Sequence, residues 1–108
     1  MFYELRHYVP APGKSEALSE RFASATLPLF AKLGIKVTDF WESADGSGEL
    51  WYVVEWSSED AMKSAWEAFR ANQEWIAIKT RTEADGPLCT SIRSLPMRRA
   101  GFFRSLTL

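Results

Sequence analysis

Leu50-Trp51-Tyr52-Val53-Val54-Glu55-Trp56 is the most strand-like stretch of the chain, and it is apolar on both of its faces. Alternate side chains of an extended segment point to opposite sides. Leu50, Tyr52, Val54 and Trp56 therefore share one side, and Trp51 and Val53 share the other. A strand apolar on both sides calls for cover on both. Just before it, Asp45-Gly46-Ser47-Gly48 reads as a hairpin loop, and residues 35–42 (IKVTDFWE) as the strand entering it. That strand too is apolar on both parities, with Ile35 and Val37 on one and Phe40 on the other.

Working outward, Ser57 and Asp60 form a capping-box pair, followed by Met62, Ala65, Trp66 and Phe69 at helical spacing. Asn72 interrupts this helix, and residues 74–83 form a short continuation carrying Trp75, Ile76 and Ile78. Asp85-Gly86-Pro87 ends it, and residues 88–95 read as a final strand. Toward the N-terminus, residues 2–9 (FYELRHYV) read as the first strand and Pro10-Ala11-Pro12-Gly13 as a turn. Ser15 is placed as a helix N-cap, and Leu18, Phe22, Ala25, Leu29 and Leu33 follow at helical spacing. Pro28 should kink that helix or restrict its last turn, and Gly34 should stop it.

The order strand, helix, strand, strand, helix, strand is the split β-α-β, ferredoxin-like arrangement. It implies an α+β fold, a four-stranded antiparallel sheet with the first strand central and both helices on one face. The helices cover one side of the two-faced strands, so a second copy of the chain is expected on the other.

Composition sets the outer limits. A chain of 108 residues corresponds to one domain, 1–108, large enough to bury about two thirds of its surface. Thirteen Lys and Arg against fourteen Asp and Glu give a net charge of -1, which argues against nucleic-acid binding by bulk charge. The third strand also lacks the basic-aromatic signature of RNA-binding domains of this topology. One cysteine and one histidine leave no internal disulfide and no basis for a protein-built metal site. No apolar run reaches the roughly 18 residues of a membrane span, and Glu4, Arg6 and His7 interrupt any signal peptide. A cytoplasmic location is expected.

Tyr3-Glu4-Leu5-Arg6-His7-Tyr8 followed by Pro12-Gly13 resembles the opening Y-E-L-R-x-Y and P-G turn of the NIPSNAP family. Phe40-Trp41 is similar to the family's G-F-W segment, with Asp39 in place of the usual glycine. Trp56-Ser57-Ser58 resembles its Y-x-S, and Asn72-Gln73-Glu74-Trp75 its D-P-x-W. Residues 92–96 resemble its closing strand, and Phe103-Arg104-Ser105-Leu106 its F-S-P-L tail without the proline. The resemblance implies a dimeric α+β barrel, in which two ferredoxin-like sheets face each other. It implies no single reaction. Wider relatives of that barrel include cofactor-free monooxygenases, haem-degrading enzymes and small-molecule isomerases, and fold alone does not choose among them.

Glu4, Arg6 and Tyr8 share one face of the first strand, successive members about 6.6 Å apart. That face is expected to be the open one, lining the barrel interior. There Arg6 would clamp an anion and a desolvated Glu4 could serve as a base, unless the two form a structural pair across the dimer interface. The opposite parity, Tyr3, Leu5, His7 and Val9, is expected to face the helices. Trp41 and Trp51 are further candidates to line the cavity, whereas Trp66 belongs to the core and Trp75 anchors the short helix. Cys89 has no basic neighbour in sequence and reads as a structural thiol. The tail carries Arg98, Arg99 and Arg104, suited to an anionic ligand, a partner or a clasp on the other subunit. The leading functional reading is a homodimer, without a cofactor, that binds a small organic or anionic ligand. A cofactor-independent monooxygenase or isomerase and a scaffolding dimer are the alternatives, and no catalytic residue is assigned.

Overall fold

Two strands of mixed character, Phe2–Pro10 (β1) and Leu50–Trp56 (β3), form the centre of a four-stranded antiparallel sheet. The edges are Lys36–Glu42 (β2) beside β3 and Cys89–Met97 (β4) beside β1, giving the order β2-β3-β1-β4. The structure is a computed structural model and describes residues 1–103. The expected ferredoxin-like topology is the one observed. Arg104, Ser105 and Leu106, part of the expected family tail, lie outside the described residues.

The first helical segment runs as Ser15–Arg21 (α1), a π-helical turn over Phe22–Thr26, and Leu27–Lys32 (α2). Proline lacks an N–H and its ring crowds the carbonyl four residues back. The widened turn lies just ahead of Pro28: the Leu27 N–H reaches back to the Phe22 carbonyl, and the chain continues as helix. The expected kink is thus taken up as a π-bulge. Ser15 is the first helical residue rather than its cap, and Lys14 holds the cap position without a side-chain bond. Gly34 ends the segment at φ +76°.

The second helix, Glu59–Ala71 (α3), is capped by Ser58, whose Oγ accepts from the Ala61 N–H. The capping residue is therefore one later than the Ser57 expected. Asn72 turns extended and its side chain accepts from the Trp75 N–H, starting Gln73–Thr82 (α4). The short-range competition of Asn with helix backbone explains both events at one residue.

Antiparallel partners directly opposite one another point to the same side of the sheet. Tyr8, Arg6, Glu4 and Phe2 pair with Leu50, Tyr52, Val54 and Trp56. This is the side the helices cover. Leu18, Leu29 and Phe30 fill the layer between, with Phe22, Trp66 and Phe69 in edge-to-face contact with Tyr8, Phe30 and one another. Each such side chain contributes about 1.5–3 kcal/mol through burial. On the other side, Leu5 meets Val53 and Leu95, Tyr3 meets Met97, and Trp51 meets Trp41. This row is apolar and has no cover among the described residues: Trp41 is 47% exposed and Met97 40%. The two-faced reading of the strands therefore holds.

Gly48 closes the β2–β3 hairpin at φ +79°, and a Cβ there would stand 2.6 Å from the Ser15 Cβ. Gly48→Ala is expected to destabilise the chain by about 1–3 kcal/mol, from the left-handed backbone with the clash added. Urea denaturation measures this, and an unchanged midpoint would show that the hairpin and α1 do not meet.

Candidate functional site

A carboxylate and a guanidinium on the central strand decide what lies between sheet and helices. Glu4 is fully buried, at 0% exposure. Its Oε1 accepts from the indole N–H of Trp66 at 2.7 Å and of Trp56 at 3.0 Å. Its Oε2 accepts from Ser94 Oγ and, at 3.3 Å, from Arg6 Nη1. Arg6 in turn donates from Nη2 to the Tyr8 hydroxyl at 2.9 Å and from Nε to the Tyr52 hydroxyl at 3.1 Å. Its guanidinium also lies over the Trp66 ring, 4.3 Å from the centroid. Burial works against the Arg6 charge, but the facing Tyr8, Tyr52 and Glu4 oxygens outweigh it and hold the group above its ordinary pKa. Burial pushes the Tyr52 hydroxyl well above the usual phenol range. The strand supplies acid and base at two-residue spacing, and the helices and β3 supply partners for both. A buried ion pair survives only with such supplementary bonds.

Beside this network, between α3, α4 and the β1–β4 edge, a cavity of about 280 Å³ opens. Arg6 and Tyr8 form one wall, and Trp66, Phe69 and Trp75 give it aromatic surfaces. Arg21, 5% exposed, reaches it from the end of α1. The Arg21 Nη1 donates to Glu83 Oε2 at 2.7 Å and Thr82 Oγ1 at 3.2 Å, and its guanidinium lies 5.1 Å from the Trp75 ring centroid. Cys89 also lines the cavity; burial pushes its thiol up, and the nearby Arg21 charge works against that. Its lining joins four aromatic side chains to five charged ones, more charge than the usual, mainly apolar small-molecule site carries. Among the described residues no group of three or more His, Cys, Asp or Glu side chains converges as a metal site would require.

The structure divides the five residues expected to line one site. Glu4, Arg6 and Tyr8 do act together, but on the helix side of the sheet, so the expected parity of β1 is reversed. The reason is satisfaction rather than hydrophobicity: the helix side holds the indole N–H and phenol groups that solvate the pair, while Leu5, Val53 and Leu95 make the open side the plainer apolar one. Only Arg6 and Tyr8 of the three line the cavity, and Glu4 supports Arg6. Trp41 and Trp51 lie on the opposite side of the sheet. His7 lies there as well, stacked on Trp51 with centroids 3.8 Å apart, its Nε2 2.6 Å from Glu49 Oε1. Trp66, Trp75, Arg21 and Cys89 were not expected at the cavity. One signal for Arg21 was legible: it falls three residues after Leu18, inside the apolar stripe of its helix. Nothing local to Cys89 announces Arg21, because the two meet only through the fold.

The model of the NIPSNAP family matches residues 3–99 of the chain. No curated protein matches it. Among solved structures, a NIPSNAP domain protein of Burkholderia xenovorans is 18% identical, covers 97% of this chain and 100% of its own, and superposes with a TM-score of 0.76. A NIPSNAP family protein of unknown function from Agrobacterium tumefaciens is 22% identical, with 95% and 91% covered and a TM-score of 0.77. A Nitrosomonas europaea protein assigned by name to antibiotic biosynthesis monooxygenases is 14% identical, with 95% and 100% covered and a TM-score of 0.63. These likenesses show a shared fold.

Proposed function

The chain belongs to the NIPSNAP family, and from that premise we propose that it is a homodimer, one domain over residues 1–108, that binds a small organic ligand within each subunit. The single observation that carries this reading is the cavity of about 280 Å³ with aromatic walls and three arginines, one of them Arg6 held in place by Glu4, Tyr8 and Tyr52. Its volume lies just below the roughly 300–1,000 Å³ usual for drug-sized ligands, which suits a small ligand. The ligand-binding residues are then Arg6 and Tyr8, with Glu4 as their support. Trp41 and Trp51 belong instead to the open sheet face, which a second copy covers. That face is self-matched: Leu5, Val53 and Leu95 form an apolar row across three strands. A symmetric pair lays such a row on its own copy. No helix among the described residues is long and apolar enough to cross a membrane, and a cytoplasmic location fits this reading.

Native mass spectrometry of freshly purified protein tests both parts at once. The expected species has twice the 12.3 kDa chain mass, plus a small mass per subunit that denaturation releases. A 12.3 kDa species alone at micromolar concentration would remove the dimer.

A further inference from the structure

We infer that the ligand is a planar organic acid whose carboxylate sits on the Nε–Nη2 edge of Arg21; this rests on the ligand-binding reading of the cavity. Arg21 is 5% exposed, and its Nη1 is already committed to Glu83 and Thr82. Its Nε is buried and has no hydrogen-bond partner. Buried donors without a partner are rare enough that each calls for an explanation. A guanidinium offers two parallel N–H bonds along its Nε–Nη2 edge, a spacing that matches the two oxygens of a carboxylate. Nε, at one end of that edge, makes no hydrogen bond, and Cys89 is the protein side chain that lies against this guanidinium within the cavity.

Charge points the same way. Around the cavity, Arg6 is paired with Glu4 and Arg21 with Glu83. Arg70 and Lys79, also on its wall, have no ion-pair partner among the described residues. The pocket thus carries surplus positive charge, in a chain whose net charge is -1. The shape of the remainder selects a flat body. Phe69 and Trp75 lie with centroids 4.7 Å apart, and the Trp66 ring already carries the Arg6 guanidinium on its face. With these faces packed on one another or on an arginine, a thin, flat body buries apolar surface against the ring edges that remain, whereas a bare inorganic anion would leave them unused.

The probe is 2-naphthoate, with uncharged 2-naphthamide of nearly the same shape and inorganic phosphate as comparisons, each titrated calorimetrically at pH 7. The acid is expected to bind at least tenfold more tightly than the amide, and millimolar phosphate is expected not to displace it. The double variant Arg21→Gln with Glu83→Gln removes one charge of each sign, so the charge of the wall is unchanged and only the edge is lost. It is expected to weaken the acid at least tenfold and leave the amide unaltered. Lys79 is exposed, so Lys79→Gln gives a second variant that keeps the buried pair, with an expected two- to fivefold loss for the acid alone. Equal binding of acid and amide would overturn the carboxylate while the cavity reading stands. Displacement by phosphate would overturn the planar organic body. Failure of both organic probes to bind at millimolar concentration would overturn the cavity reading with it.

Discussion

Glu4→Ala is expected to lower the unfolding free energy by about 3–5 kcal/mol, the cost of removing one member of a buried ion pair. A domain of this kind has about 5–15 kcal/mol in total, so the loss approaches unfolding. The mechanism is specific. Alanine leaves the Arg6 guanidinium, the Trp56 and Trp66 indole N–H groups and the Ser94 hydroxyl without their common acceptor. Glu4→Gln should cost less, about 1–3 kcal/mol, because its carbonyl still accepts from the indoles while its amide meets the Arg6 and Ser94 donors. The double variant Glu4→Leu with Arg6→Met should recover part of the alanine loss, since it removes both charges together. Urea denaturation of the three variants reads all of this. A Glu4→Ala loss below about 1 kcal/mol would show that water reaches the cluster.

If the proposed dimer forms through the open sheet face, Val53→Arg is expected to leave a monomer at 10 μM, a weakening of at least a hundredfold. Val53 lies between Leu5 and Asp39 on the open side of the sheet, away from the helices. In a single chain the new guanidinium meets water, and the fold is kept. Against a second copy it would be desolvated and crowded, with only the Asp39 carboxylate beside it on the neighbouring strand, a cost of several kcal/mol per subunit. Light scattering coupled to gel filtration separates the two states, and circular dichroism confirms the fold. A variant that remains dimeric would place the interface elsewhere than on this face.

The element order and the sheet topology were legible because they rest on local rules. Period-two apolarity marks β3, period-three-and-four apolarity marks the helices, and Gly34, Asn72 and the Asp45–Gly48 loop punctuate them. The boundary errors are of the same local kind: Ser57 and Ser58 are both capable caps, and tertiary packing chose the second. The site was legible only in part. Glu4, Arg6 and Tyr8 were found because spacing of two places them on one side of a strand, but spacing does not say which side meets the helices.

By itself, then, the sequence determined the strand and helix order, the two-faced sheet and the grouping of Glu4, Arg6 and Tyr8, because each follows from residues within a few positions of one another. Only the tertiary structure decided that this group faces inward. Trp56 and Trp66, 52 and 62 positions away from Glu4, supply the N–H groups that make a buried carboxylate tolerable there. It also decided that Arg21, Trp75 and Cys89 share one cavity, since α1, α4 and β4 converge only in the folded chain. Periodicity reports direction along one element, whereas solvation of a buried charge depends on which elements meet.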